Sequence, residues 1–246
     1  MGYKAINYVD FAGDRVVAAY TTRLGGHSKS PYDSFNLGLH VGDAQDDVLA
    51  NRRMLEQEFA PRKMVYMEQV HGSTVRYVDS SNRTEIGSCD GIYTDDPALL
   101  LTVMVADCLP MLLASEDGKW VCALHCGWRC VSSGIIGKGI GELKGRGATS
   151  LRAFIGPGIG RGSFEVGPEV REIFTARDEG LGEYFEPGRN DRFMCDLRGI
   201  CHRQLGQNGV GEIEDLDVDT FTDANFYSYR KEKVTGRQVC VIGKKN

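Results

Sequence analysis

Three apolar runs in this chain end in a side chain that can hold a metal or attack a substrate. Val65-Tyr66-Met67-Glu68-Gln69-Val70 leads to His71-Gly72, Val103-Met104-Val105-Ala106-Asp107 to Cys108-Leu109-Pro110, and Val121-Cys122-Ala123-Leu124 to His125-Cys126-Gly127-Trp128-Arg129. Strand ends are rigid mounts, and loops leaving neighbouring strands can converge, so His71, Cys108 and His125 can form one mixed nitrogen and sulfur site. Two imidazoles and a thiolate suit zinc and leave a fourth tetrahedral position for water or substrate, the pattern of a catalytic rather than a structural ion. The three are far apart in sequence and form no local cassette such as C-x-x-C. An isolated His or Cys is more often a hydrogen-bonded edge residue or a small buried hydrophobe. A Cys108–His125 or Cys108–His71 nucleophile and base pair would use the same atoms. Cys122, Cys126 and Cys130 would share one face if helical, but the β-rich run 120–124 and Gly127 predict a strand followed by a turn.

Polar residues surround the three. Asp107 can act as a general acid or base, or accept a hydrogen bond from a ligand histidine, with a turn-capping carboxylate as the alternative. Arg129 can hold an anion or form a surface ion pair. Gly156-Pro157-Gly158-Ile159-Gly160-Arg161 offers backbone donors, yet matches neither the P-loop nor the G-x-G-x-x-G fingerprint and reads as turns. No G-x-S-x-G nucleophile elbow occurs.

The elements that must carry these residues are of both kinds. Apolar and β-branched density predicts strands at 64–67, 74–78, 99–105, 111–114, 120–124, 151–155 and 238–242. A helix is predicted at 46–59, capped by Asp46 or Asp47 and stopped by Pro61, with Val48, Leu55 and Phe59 on its buried face. Further helices are predicted from Pro168, with Val170 and Phe174 one turn apart, and at 197–205. Successive strands in the first half leave no room for helices between them, so the expected class is mixed α/β (α+β), with mixed sheets flanked by helices. Glycine clusters such as Gly25-Gly26 and those around Gly158 are read as loops.

The chain, 246 residues with no linker, repeat or low-complexity stretch, reads as a single domain over 1–246. Ordinary composition, 41% hydrophobic and 26% charged, excludes disordered and fibrous classes. The longest apolar run, 98–105, falls short of the roughly 18 residues a membrane helix needs. No secretory signal is read at the start, so a cytoplasmic protein with reduced cysteines is expected. A net charge of -5 argues against nucleic-acid partners.

An ordered series of motifs completes the reading: Thr22-Arg23-Leu24-Gly25-Gly26-His27-Ser28, Asn36-Leu37-Gly38-Leu39-His40-Val41-Gly42-Asp43, Asn51-Arg52-Arg53, Glu68-Gln69-Val70-His71-Gly72, Asp90-Gly91, Ala106-Asp107-Cys108-Leu109-Pro110, His125-Cys126-Gly127-Trp128-Arg129, Ile155-Gly156-Pro157 with Phe164-Glu165-Val166, and Tyr227-Ser228-Tyr229-Arg230. Over nearly its whole length the chain thus resembles the YfiH/laccase-domain family, also labelled multicopper polyphenol oxidase or purine nucleoside phosphorylase. The resemblance implies a single-domain mixed α/β sandwich with zinc on His71, Cys108 and His125. It further implies phosphorolysis of adenosine, inosine or guanosine to base and ribose 1-phosphate, with 5′-methylthioadenosine cleavage and adenosine deamination. Nucleoside and phosphate are then the partners, Asp107, Cys108 and Arg129 the catalytic residues, and Asn36, Arg53 and Gln69 the substrate-binding ones. Phosphate needs a cation beneath the ribose, for which Arg53 and Arg129 are candidates. On the 46–59 helix one of Arg52 and Arg53 is left to face the loops of Asn36 and His71, two solvated arginines being the alternative.

Relatives are also described as copper-dependent phenol oxidases or as amidases editing peptidoglycan precursors. Five histidines, His27, His40, His71, His125 and His202, are few for a multicopper centre. A binding module without catalysis is a third reading. Two departures from the family pattern stand out: Cys130 where glycine usually follows G-W-R, expected to narrow a turn, and Thr220 and Lys231 near places often held by Cys and Arg.

Overall fold

The computed structural model describes residues 2–81 and 84–245. In chain order the elements are β1 (Ile6–Val9), β2 (Val16–Thr21), α1 (Gln45–Glu58), β3 (Lys63–Met67), β4 (Val75–Tyr77), β5 (Glu85–Ile86), β6 (Gly91–Thr94), β7 (Leu99–Val105), β8 (Leu109–Ser115), β9 (Val121–Cys126), α2 (Trp128–Ser132), α3 (Ile135–Gly145), β10 (Leu151–Ile155), β11 (Glu165–Val166), α4 (Pro168–Thr175), β12 (Phe185–Pro187), β13 (Phe193–Cys195), α5 (Leu197–Gln207), β14 (Glu212–Asp215), α6 (Tyr229–Glu232) and β15 (Gln238–Lys244). One six-stranded sheet runs β1-β2-β15-β7-β3-β5 and a second β14-β10-β8-β9-β6-β4, with a small sheet β11-β13-β12 beside them. This is the mixed α/β sandwich expected from the sequence.

Side-chain alternation along the strands sorts the apolar residues into layers. Val65, Leu101, Val103 and Ile242 of the first sheet meet Leu112, Ala114, Ala123 and Phe154 of the second in the central core. The opposite faces are covered too. Met64, Tyr66, Leu100 and Val241 pack with Leu55 and Phe59 at the end of the first helix, while Met111, Leu113, Leu124 and Ala153 pack on α3, α4 and α5. Strands buried on both faces read as continuous apolar runs, which is why β7 is predicted with its observed bounds.

Helix α3 forms despite glycines at 137, 139 and 141. Gly139 lets it lie close on β9, because a Cβ there would meet Leu124 Cδ1 at 2.9 Å. Cys122 and Cys126 belong to β9 and point into the helix-side core, where burial pushes both thiols up. Cys130 lies in α2 rather than in a turn.

β3 and β7 are parallel, so their C-terminal ends lie together. The chain leaving β7 crosses from the first sheet to the second through Ala106-Asp107-Cys108, and β9 returns antiparallel to β8 with His125 opposite Pro110. Three separate segments are thereby delivered to one end of the sandwich.

Candidate metal centre and active site

His71, Cys108 and His125 do converge: their ligand atoms all lie within 4.8 Å of one another. Tetrahedral coordination at about 2.0 Å to nitrogen and 2.3 Å to sulfur draws such atoms to roughly 3.5 Å apart, a side-chain adjustment from this spacing. His71 is exposed, Cys108 half-buried and His125 buried, so the cluster reaches solvent through His71. The two imidazoles meet edge to face with centroids 4.8 Å apart. Gly127 faces all three, since a Cβ there would stand 3.1 Å from both Cys108 Sγ and His71 Nδ1 and 3.6 Å from His125 Cε1. The space into which the donors point exists because residue 127 has no side chain. A donor set of two imidazoles and a thiol around such a space fits a borderline-soft divalent ion.

The group that organises this cluster is Asp90, a fully buried carboxylate at the start of β6. Its Oδ1 accepts from His71 N at 3.0 Å and lies 2.8 Å from His125 Nδ1. Its Oδ2 accepts from Gly72 N at 2.7 Å and Val70 N at 3.3 Å. One carboxylate therefore shapes the loop that carries His71 and turns the imidazole of His125. Burial pushes the Asp90 carboxyl up, but the hydrogen bonds from His125, Gly72 and Val70 outweigh it and hold the group below its ordinary value. An ionised Asp90 accepts only, so His125 carries its proton on Nδ1 and keeps the Nε2 lone pair for the centre. Without an ion, burial disfavours the charged ring but Cys108, Asp90 and Cys130 carry His125 well above its usual value, so a metal would take the place of the Nε2 proton. Burial and the neighbouring His125 hold His71 below its own.

Both loops flanking the cluster have left-handed backbone at residues other than glycine, His71 at φ 58° and Asp107 at φ 93°. Such conformations persist where surrounding bonds fix them. Asp107 is held by Thr220 Oγ1 and by Arg230 N, which donate to its two oxygens at 2.8 and 2.6 Å. Both of its oxygens are thus engaged by Thr220 and Arg230, and the carboxylate bonded to His125 is Asp90 instead. Thr220, one of the two departures from the family pattern, belongs to this clamp. The other, Cys130, has its Sγ 3.7 Å from Asp90 Oδ1 and 3.8 Å from His125 Nδ1.

The cluster opens into a cavity of about 1890 Å³ lined by His71, Cys108, His125, Gln69, Arg52, Arg53, Arg129, Arg237, Trp128 and Tyr229, among others. A pocket for one drug-sized ligand takes roughly 300–1,000 Å³, so there is room for more than one substrate. Arg53 and Arg129 stand exposed on its wall, with the Arg129 guanidinium 4.3 Å from the Trp128 ring centroid. Arg52 is the buried member of its pair. It donates to Leu37 O, pairs with Glu85 at 3.2 Å and stacks 3.8 Å from the Tyr66 centroid. Gln69 spends its amide on the Met104 backbone, donating to the carbonyl at 2.8 Å and accepting from the N–H at 2.9 Å. Asn36 is fully buried behind the wall and bonds Gly38, Asp43 and the backbone N–H of Arg237. The glycine loop 156–161 keeps its donors for itself: Gly158 N, Ile159 N and Gly160 N bond Val218 O, Asp107 O and Asp219 Oδ1.

Asp90 and Arg237 are the site residues that reasoning from strand ends misses. For Asp90 the available signal is an Asp-Gly pair opening a strand, where Gly91 admits Leu124, whose Cδ2 would lie 2.7 Å from a Cβ. For Arg237 it is the Thr235-Gly236-Arg237 turn before β15, where a Cβ on Gly236 would strike Tyr227 at 2.6 Å.

Comparison with known proteins places this geometry. Residues 17–245 match the family model described as multi-copper polyphenol oxidoreductase laccase. A Pseudomonas aeruginosa protein named purine nucleoside phosphorylase is 40% identical over 230 residues, covering 93% of each chain. The Escherichia coli purine nucleoside phosphorylase YfiH is 38% identical over 229 residues, covering 92% of this chain and 93% of that one. Among solved structures, a Neisseria meningitidis protein superposes with a TM-score of 0.92 at 30% identity, covering 99% of this chain and 100% of that one. YlmD from Geobacillus stearothermophilus gives 0.88 at 30% identity, covering 100% and 98%.

Proposed function

We propose that this chain, which belongs to the multi-copper polyphenol oxidoreductase laccase family, is a zinc-dependent purine nucleoside phosphorylase releasing free base and ribose 1-phosphate from adenosine, inosine or guanosine. The observation that carries the reading is a two-histidine, one-cysteine cluster at one end of a cavity that is also lined by arginines. The relatives named purine nucleoside phosphorylase cover nearly the whole chain and support it.

Phosphorolysis forms a bond from a phosphate oxygen to C1′ of the ribose while the bond from C1′ to the purine N9 breaks, and the base leaves with that electron pair and takes up a proton. Zinc held by His71, Cys108 and His125 would supply a Lewis acid for the charge that develops during the exchange. Asp90 keeps the donor atoms aimed by fixing the His71 loop and the His125 ring, so little reorganisation is needed at the moment of reaction. Arginine side chains hold the phosphate, while Trp128 and Tyr229 offer flat apolar surfaces to the purine. Adenosine deamination and 5′-methylthioadenosine cleavage belong to the same proposal as side reactions, and the enzyme would work in the cytoplasm. No helix among the described residues is long and apolar enough to cross a membrane. The copper oxidase reading is weaker, because both metal-capable groups among the described residues share His125 and so offer one centre rather than several.

Metal analysis with an assay of hypoxanthine release from inosine tests the proposal. The protein should hold one zinc per chain, and Cys108→Ala should lose both the ion and the phosphate-dependent release, by roughly a hundredfold or more. Full phosphorolysis by metal-free Cys108→Ala protein would overturn it. Phenol-dependent oxygen uptake at stoichiometric copper, or hydrolysis of muropeptide precursors without phosphorolysis, would move the assignment to the oxidase or amidase reading.

A further inference from the structure

We propose that Arg237 forms the phosphate subsite, binding the anion through its Nε and Nη2 atoms on the cavity wall near Cys108. The inference rests on the phosphorylase reading for its role in catalysis, and on the arginine's own surroundings for the binding itself.

The arginines of the cavity differ in what already occupies them. Arg52 is paired with Glu85 and bonded to Leu37 O. Arg62 donates its Nε to Lys244 O at 3.1 Å. Arg53 and Arg129 are exposed, where water screens a charge and holds a long side chain in many rotamers. Arg237 alone among these five is half-buried and, among the described residues, has neither an ion pair nor a hydrogen bond on Nε or Nη2. Its guanidinium stands 5.9 Å from the Tyr229 ring centroid and feels Asp107 and Cys108 only through space, without an ion pair. Half-buried, it carries a desolvation cost that a bound oxyanion offsets, and its planar fork matches two oxygens of a phosphate.

The side chain is also held in place beforehand. Its Nη1 donates to the carbonyls of Thr235 and Gly236 at 3.1 and 2.9 Å, which points the other edge of the fork away from the backbone. Its backbone N–H donates to Asn36 Oδ1 at 2.9 Å, and that same oxygen accepts from Gly38 N at 3.0 Å. Gly38 leaves room for the aliphatic stem, since a Cβ there would meet Arg237 Cγ at 2.9 Å. Asn36 thus acts on substrate through Arg237 rather than by contact.

Inorganic phosphate titrated into the zinc-loaded protein by calorimetry, with the KM for phosphate measured in parallel, tests the subsite. Arg237→Gln should weaken phosphate binding and raise its KM more than tenfold, leaving zinc content and nucleoside KM unchanged. Arg237→Lys should fall between, and Arg53→Ala should change the phosphate KM less than threefold. Unaltered phosphate affinity in Arg237→Gln protein with wild-type zinc content and circular dichroism would overturn the proposal, as would a larger loss in Arg53→Ala. Should Arg237→Gln not fold, Arg237→Lys decides alone, with wild-type affinity the overturning result. Phosphate binding lost in Arg237→Gln but no phosphorolysis by the wild type would remove the phosphorylase reading and leave the subsite standing. Phosphorolysis with an unchanged phosphate KM in Arg237→Gln would do the reverse. Tighter binding of a nucleoside 5′-monophosphate than of free phosphate, lost in the same variant, would assign the subsite to an esterified phosphate instead.

Discussion

Two histidine and aspartate pairs lie on the second sheet and the elements packed on it, and only one of them belongs to the cavity. His125 Nδ1 is 2.8 Å from Asp90, and His202 Nε2 is 2.6 Å from Asp215. By pair geometry alone the second is as good as the first. Their surroundings separate them. Asp215 is also bonded by Arg198, whose Nη2 reaches the carbonyls of Gly156 and Val218 at 3.3 Å each, so the cluster knits β14 to the loop after β10. The His202 side chain is 40% exposed, with no thiol or second imidazole grouped with it as a metal-capable set among the described residues. Asp90 has no arginine partner among the described residues; besides His125 and the Cys130 thiol, its carboxylate is bonded by three backbone N–H groups of the loop bearing His71. A His–Asp pair becomes a site when the far nitrogen faces other donors and the carboxylate also shapes the segment that supplies them.

Substitution of the two carboxylates and their neighbours sharpens the contrast. The largest effect is expected for Asp90→Asn. Each oxygen of Asp90 accepts only, so an amide NH2 at either position sets donor against donor in a buried place. Stability should fall by about 3 kcal/mol and zinc affinity by roughly 10- to 100-fold, read by denaturant melts and competitive chelation. Wild-type zinc affinity in that variant would make the two pairs equivalent after all.

Gly127→Ala is next. Its φ of -69° and ψ of 157° accept any residue, so the backbone presents no obstacle. The added methyl must displace Cys108 or His71 by a few tenths of an ångström, and chelator titration should show a severalfold loss of affinity with stability changed by about 1 kcal/mol or less. The smallest effect belongs to the other pair. His202→Ala removes one partly exposed hydrogen bond while Arg198 keeps Asp215 paired, so a cost of about 0.5–1 kcal/mol with unchanged zinc content and activity is expected.

The parts that were legible in the sequence are those where local pattern and tertiary burial agree. The strand 99–105 and the strand 151–155 are buried apolar runs between turn signals, and their predicted and observed bounds agree. The helix of Asn51 and Arg53 shows its apolar face and its stopping proline. The three proposed ligands were legible because each follows or closes such a run. Helix α3 was hidden by Gly137, Gly139 and Gly141, which weaken helix propensity yet allow close packing on β9. Strand β2 carries no such local signal, since it pairs with β15 more than two hundred positions away and β1 in turn takes its register from β2. Asp90 and Arg237 act through partners distant in sequence, His125 and Asn36, and no local spacing announces such a pairing.

The crossing from one sheet to the other at Ala106-Asp107-Cys108 has a consequence for assembly. His71 follows a strand of the first sheet, His125 belongs to the second, and Cys108 sits on the link. No single sheet carries the full donor set, so a half-assembled chain has little means of capturing an ion. An ion taken up after docking fastens the two sheets by mass action, adding about 2.7 kcal/mol when free metal is a hundredfold above its dissociation constant. Under the zinc proposal, metal retention would then mark chains in which both halves of the sandwich have closed.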